Sequence, residues 1–141
     1  MSTPFRMPDR RTCLPVLLQA VLLLFSSGAF AQENVPKALF LYAEKDKLVA
    51  SNTVTGQFFD LDFAAKERVE DKFVANAVAI VVTSQRYAGI GTFSGGWQSI
   101  RRIAGEKFIS AEVQDYSALL VTSDRLLSFY GRTGTWSERK R

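Results

Sequence analysis

An internal repeat with a period of about 39 residues constrains the fold of this chain more than any other feature of its sequence. A shift of the sequence by that length brings turn, basic, glycine and tryptophan positions into register without a gap. The matching positions are residues 82–86 on residues 121–125, Gly95 on Gly134, and Trp97 on Trp136. A fixed period of this length indicates tandem copies of one supersecondary unit, which bury their apolar faces by packing on one another.

A shift in the other direction extends the repeat to a diverged first copy. Lys47 then takes the position of Arg86, Gly56 that of Gly95, and Phe58 that of Trp97. The copies cover residues 38–76, 77–115 and 116–141, and the last copy is truncated.

Each full copy is predicted to form four short strands. Residues 77–83 are apolar and β-branched, as in a strand buried on both faces. Polar pairs at 45–46, 84–85 and 123–124 suit tight hairpin turns. Gly89 and Gly91 indicate a bulge or a close backbone approach, and Gly95 is expected to take a positive φ. We expect residues 107–113 to form the outer edge strand of their sheet. Residues 64–73 have a helix-favouring composition, but their alignment with the second copy predicts a turn and a strand.

Four short antiparallel strands in each repeat resemble a β-propeller blade. The chain also resembles small exported bacterial proteins of unestablished function that are built of tandem blade-like repeats. That resemblance implies an all-β fold for residues 32–141, with three four-stranded antiparallel repeats in one domain. A β-trefoil, which has three four-stranded units of about 40 residues, is the alternative.

The N-terminal residues have the three parts of a cleavable signal peptide. Basic residues precede an apolar stretch at residues 14–25, and Ala29-Phe30-Ala31 matches a signal-peptidase site. The apolar stretch is shorter than the roughly 20 residues of a membrane span. We therefore predict that residues 1–31 are removed and that the mature chain, which has no membrane span, is periplasmic or secreted by a bacterium.

The mature chain lacks the side chains that most catalytic and metal sites use. It has no His, and the single Cys of the chain, Cys13, lies in the predicted signal peptide. Disulfides, imidazole bases and the usual zinc or haem ligands are excluded. Asp60 and Asp62 are expected to face water on a strand that turns Leu61 inward, rather than to bind calcium. We expect neither enzymatic activity nor a cofactor nor a bound metal.

Two recurring sets of side chains are the candidate binding residues. Phe58, Trp97 and Trp136 are either platforms for sugar rings or aromatics that pack between sheets. Lys47, Arg86 and Arg125 are either a ring of positive charge for an anion or acidic partner, or cations that pair with local carboxylates such as Asp46 and Asp124.

These features predict a non-catalytic binding or scaffold module that contacts another protein, with a carbohydrate-binding lectin as the alternative. The truncated last copy predicts open strand edges at both ends of the array. Such edges favour self-association or docking on a partner protein. The C-terminal basic residues are too few to indicate nucleic-acid binding.

Overall fold

The computed structural model describes residues 34–141, and the predicted signal peptide at residues 1–31 lies outside this range. Residues 34–141 form eleven β-strands in three separate antiparallel sheets and contain no helix. The all-β prediction is therefore confirmed. Nothing in this range has the helical length and apolar character that crossing a membrane requires.

The strands follow one another in chain order within each sheet. Sheet 1 contains β1 (Leu39–Ala43), β2 (Lys47–Asn52) and β3 (Gln57–Asp62). Sheet 2 contains β4 (Val69–Val74), β5 (Val78–Thr83), β6 (Arg86–Gly91) and β7 (Gln98–Arg101). Sheet 3 contains β8 (Phe108–Gln114), β9 (Ser117–Thr122), β10 (Arg125–Tyr130) and β11 (Thr135–Lys140).

The sheets are out of phase with the sequence repeats. The strand at the end of each repeat pairs with the first strand of the next repeat, as β4 does with β5 and β8 with β9. The prediction that residues 107–113 are the outer strand of the preceding strands' sheet is therefore wrong. Sheet 3 consequently has all four strands, and within residues 34–141 it is sheet 1 that has three.

The connections form where the sequence predicts them. The polar pairs lie in the hairpin connections between β1 and β2 at 45–46, between β5 and β6 at 84–85, and between β9 and β10 at 123–124. Residues 64–67 turn and lead into β4 instead of forming a helix. Gly95 has φ of 73°, and Gly134 at the equivalent position has φ of 68°. Both turns use a backbone conformation that glycine adopts without steric cost.

Sheet 2 is packed on both of its faces, and this explains why every residue of β5 is buried. Alternate side chains of a strand point to opposite faces. Val78, Ile80 and Val82 therefore pack towards sheet 3, while Ala79 and Val81 pack towards sheet 1. The apolar partners from sheet 3 are Ala118, Leu120, Leu127 and Phe129, and those from sheet 1 are Leu39, Leu48, Ala50 and Leu61.

Two glycines of β6 allow sheets 2 and 3 to approach closely. A Cβ on Gly89 would lie 2.9 Å from the ring of Phe129, and one on Gly91 would lie 1.8 Å from the carbonyl oxygen of Gly131. The predicted close approach is thus present. The register shifts of sheets 2 and 3 occur instead in β4 and β8, next to Val69 and Phe108.

Candidate functional site

The two recurring tryptophans lie at the boundaries between sheets. Trp97 packs against the clusters that join sheets 1 and 2, and its indole N–H donates to the carbonyl oxygen of Phe59 at 3.0 Å. Trp136 packs against the cluster that joins sheets 2 and 3, and it donates in the same way to Gln98 at 3.0 Å. Its ring also contacts that of Phe129, with 4.9 Å between centroids. This geometry favours the role of inter-sheet packing for both tryptophans.

Phe58, the third aromatic of this set, is in a different environment. Its side chain is 72% exposed on the outer face of sheet 1. The tryptophans pack on the sheet that precedes their own, whereas sheet 1 is the first sheet of the described residues. The structure therefore does not bring Phe58, Trp97 and Trp136 together into one aromatic site.

The recurring arginines pair with buried glutamates that come from the turn before each sheet. Arg125 Nε is 2.9 Å from Glu106 Oε1, and Arg86 Nε is 2.8 Å from Glu67 Oε1. In both sets a threonine hydroxyl also donates to the carboxylate, Thr122 at 2.7 Å and Thr83 at 2.6 Å. Each arginine further donates to a main-chain carbonyl at the end of the preceding sheet, that of Arg101 or Asp62.

These contacts set the ionisation of the two glutamates. Burial alone raises the pKa of Glu67, but hydrogen bonds from Arg86, Thr83 and the Ala64 N–H outweigh burial and hold the pKa below its ordinary value of 4.5. The pKa of Glu106 is lowered by the same balance between burial and donated hydrogen bonds. The pKa of Arg125 is raised, chiefly by its hydrogen bond to Glu106. Both pairs are charged at neutral pH, and they join segments of the backbone to one another.

Lys47 stands at the equivalent position in sheet 1 and is paired as well. Its Nζ lies 2.7 Å from Asp60 and 3.5 Å from Glu44, and the hydrogen bond to Asp60 is the main cause of its raised pKa. Asp46 and Asp124, the carboxylates named from the sequence, are not the partners of these cations. Arg125 contacts Glu138 across the β10–β11 ladder instead. Proximity in sequence identified only a weaker contact, that of Lys47 with Glu44, whereas the shorter pairs come from an adjacent strand or from the turn before the sheet.

The groove beside Arg86 has a mixed charge. It has a volume of about 790 Å³ and is lined by Arg86, Arg101 and Arg102 together with Asp62, Glu67, Glu70 and Glu106. Arg102 pairs with Glu70 at 2.6 Å. Carboxylates outnumber the cations here, so the groove is a poor site for an anion.

The remaining acidic pair of the sequence is also exposed to solvent. Asp60 and Asp62 face water while Leu61 is buried, as the alternation predicts. Within residues 34–141 no group of acidic side chains is arranged to hold a metal ion.

The leading face of sheet 1 is formed by Phe40, Tyr42, Val49, Ser51 and Phe58, and the charged residues Lys47, Asp60 and Asp62 lie on the same side of the sheet. Tyr42 is 69% exposed and Phe40 is 46% exposed. The strand register places Phe40, Ser51 and Phe58 in one row across the sheet, with Tyr42, Val49 and Asp60 in the next. Phe58 is the one apolar residue of this face that the sequence identified as a candidate, whereas Lys47, Asp60 and Asp62 on the same side were considered for their charge. Phe40 and Tyr42 are spaced i, i+2, which places them on one face of a strand. The residues at the same repeat positions in the other copies are also apolar, and these two features could have indicated Phe40 and Tyr42 from the sequence.

The trailing face of sheet 3 lies at the other end of the array. It is formed by Ser117, Leu119, Val121, Leu126, Ser128 and Tyr130. Leu119 and Tyr130 are exposed, and Ser117, Leu119 and Ser128 line a hollow of about 230 Å³ together with Gln114 and Glu112. The array thus exposes a whole sheet face at each end, and β1 is in addition an edge strand of sheet 1 that pairs only with β2 within residues 34–141.

Comparison with known proteins gives no assignment: no family model, no curated protein and no solved structure matches this chain.

Proposed function

We propose that this chain is an exported, non-catalytic binding and scaffold module that contacts another protein through the leading face of sheet 1. The observation that carries the proposal is the exposure of Phe40, Tyr42 and Phe58 on one face, where only the small residue Ser51 separates Phe40 from Phe58. Contiguous exposed apolar surface is typical of interaction sites. Aromatic side chains are also enriched among the residues that contribute most to protein–protein affinity.

The shape of the face favours a protein over a small molecule. Small ligands bind in concave pockets that bury most of their surface, whereas the leading face is the flat side of a three-stranded sheet. We further propose that the sheets stack as propeller-like blades. Each sheet keeps its own consecutive strands, and two tryptophans fill the boundaries between sheets. A β-trefoil is the alternative arrangement.

The carbohydrate-binding alternative depends on free aromatic platforms. Trp97 and Trp136 each donate the indole N–H to the neighbouring sheet and pack against the clusters between sheets. Phe58 is the one member of the repeated aromatic set that is largely exposed in residues 34–141, and Phe40 and Tyr42 lie on the same face. A lectin on this chain would therefore have a single aromatic site on sheet 1 rather than one site per repeat.

Site-specific photocrosslinking in the native host tests the protein-binding proposal. A photoreactive phenylalanine analogue replaces Phe58 or Tyr42, and the control carries it at Asp124, an exposed hairpin residue. We expect discrete protein adducts from the leading face and none from position 124. Absence of protein adducts, with retention of the unmodified chain on immobilised cellulose, chitin or peptidoglycan, would instead support the lectin.

Export is tested separately by N-terminal sequencing of the protein recovered from the host. We expect Gln32 as the first residue in the periplasmic or secreted fraction. Substituting bulky residues for Ala29 and Ala31 should block processing, because the peptidase accepts small side chains there. A chain that retains Met1 in the cytoplasm would contradict this part of the proposal.

A further inference from the structure

The two boundaries between sheets are copies of one interface. Sheet 3 packs on sheet 2 through Ala118, Leu120, Leu127, Phe129 and Trp136. Sheet 2 packs on sheet 1 through residues at the same repeat positions, and these are Ala79, Val81, Ala88, Ile90 and Trp97. The residues of sheet 1 at these repeat positions form the leading face, and they are Phe40, Tyr42, Val49, Ser51 and Phe58.

The trailing face is the other half of the same interface. Sheet 2 turns Val78, Ile80, Val82 and Tyr87 towards sheet 3. The residues of sheet 3 at these repeat positions are Ser117, Leu119, Val121 and Leu126, which belong to the trailing face. The leading face and the trailing face are therefore the two unpartnered halves of an interface that the chain already forms twice.

The side-chain sizes on these two faces compensate for each other. Val78 of sheet 2 and Ala118 of sheet 3 belong to one cluster. The residue equivalent to Val78 on the trailing face is Ser117, and the residue equivalent to Ala118 on the leading face is Phe40. A smaller residue on one side is thus matched by a larger residue on the other. Within the chain, the ring of Phe129 covers Gly89. At the same repeat positions the trailing face has Ser128, which is larger than glycine, and the leading face has Ser51, which is smaller than phenylalanine. The hollow of about 230 Å³ that Ser117 and Ser128 line gives room for an added aromatic ring.

One repeat position beside the faces carries opposite charges at the two ends of the array. Between sheets 2 and 3 the same position pairs a neutral residue with an acidic one. Asn76 donates from its side chain to Asp115 at 3.2 Å between sheets 2 and 3. Lys37 holds the same repeat position in sheet 1, and its Nζ lies 4.8 Å from the ring centroid of the exposed Phe40. If the trailing face of one chain packs on the leading face of another in the same way, Asp115 of the first chain lies opposite Lys37 of the second.

From these matches we propose that the leading face binds the trailing face of a second copy of this chain, head to tail. The inference rests on the proposed function and names the partner. Because the contact joins two different faces, a first contact leaves one copy with a free leading face and the other with a free trailing face, and a second contact between these closes the assembly as a ring. Two copies of residues 34–141 contribute six sheets, which lies within the range of about four to eight blades that closed propellers use.

Sedimentation of the purified chain and of two face variants tests the proposal. Tyr42→Lys alters the leading face and Leu119→Lys alters the trailing face, while Thr55→Lys in the exposed β2–β3 turn is the control. Because all three positions are exposed, we expect circular dichroism and urea midpoints close to those of the parent chain. The parent and Thr55→Lys should sediment as dimers at tens of micromolar, and each face variant alone as a monomer.

Mixing the two face variants distinguishes a head-to-tail contact from a symmetric one. An equimolar mixture has one intact pair of faces and should form heterodimers, which a contact between two leading faces does not allow. Lys37→Asp and Asp115→Lys should each weaken association by roughly fivefold for each of the two exposed ion pairs in the ring, and the double variant should restore it.

A parent chain that remains monomeric at tens of micromolar would overturn this inference. Association that survives Leu119→Lys would do so as well. If such a monomer still forms adducts with a different protein from position 58, the proposed function stands and only the identity of the partner is wrong. A monomer without any adduct contradicts both.

Discussion

At the scale of single residues, one buried carboxylate joins three parts of the chain in both sheet 2 and sheet 3. In sheet 3, Glu106 accepts hydrogen bonds from the Ile103 N–H in the preceding turn, from Thr122 at the end of β9 and from Arg125 at the start of β10. Removing one partner of a buried ion pair leaves an uncompensated charge, and this is usually costly. These residues therefore stabilise the fold and are not available to an external ligand.

The pH dependence of stability should report on these glutamates. Because the pKa of Glu67 and of Glu106 is lowered in the folded state, the unfolded chain binds protons first as the pH falls below 4.5. The free energy of unfolding should thus decrease through this range. We expect Glu106→Gln to lower the stability at pH 7 and to flatten its decline between pH 5 and pH 3, measured by urea unfolding. Glu112→Gln, at an exposed position of β8, is the control. An unchanged slope in Glu106→Gln would contradict this assignment.

The two equivalent turn glycines provide a matched comparison. Gly95 and Gly134 both have positive φ, so Gly→Ala at either position should cost on the order of 1–2 kcal/mol. An added Cβ at Gly134 also lies 2.9 Å from the Cβ of Ser94, whereas one at Gly95 meets no atom within 4 Å. We expect the urea midpoint to fall further for Gly134→Ala than for Gly95→Ala. Equal shifts would show that Ser94 moves aside without cost.

At the scale of strands, Trp136 joins its own strand to the neighbouring sheet by packing and by one hydrogen bond. Trp136→Phe retains most of the ring contact with Phe129 and loses the bond to Gln98, so we expect a cost of about 1 kcal/mol. Trp136→Ala should cost about 3 kcal/mol, since it also removes the packed ring. Chemical denaturation measures both. Similar values for the two variants would mean that the ring contributes little to the boundary between sheets.

The strands were predictable from the sequence, but their assignment to sheets was not. Alternation and polar turn pairs are local signals, and they located the strands to within a few residues. Both neighbours of β8 are joined to it by short turns, so local signals do not decide between them; β8 pairs with β9, and the chain passes from sheet 2 to sheet 3 at residues 102–107. The partners of Arg86 and Arg125 were missed because two strands separate each glutamate from its arginine along the chain, and only the fold brings them close.

At the scale of the whole molecule, the three sheets differ in how much of their surface is covered. Sheet 2 is covered on both faces, while sheets 1 and 3 each leave one face open. Only the alignment of the repeats shows that these open faces correspond to the two sides of an internal boundary. The sequence could have indicated this surface from Phe40 and Tyr42, whose counterparts Ala79 and Val81 are buried.

Because the borders of the sheets do not coincide with the borders of the sequence repeats, a proteolytic cut has different effects at the two kinds of border. The bond between Ala104 and Gly105 lies in an exposed turn between sheets 2 and 3, so a cut there leaves every sheet whole. The two pieces then stay associated through the cluster around Tyr87 and Phe129. A cut after Asp115, at the border between two sequence repeats, instead separates β8 from β9 within one ladder. We therefore expect limited proteolysis to divide this protein between its sheets and not between its sequence repeats.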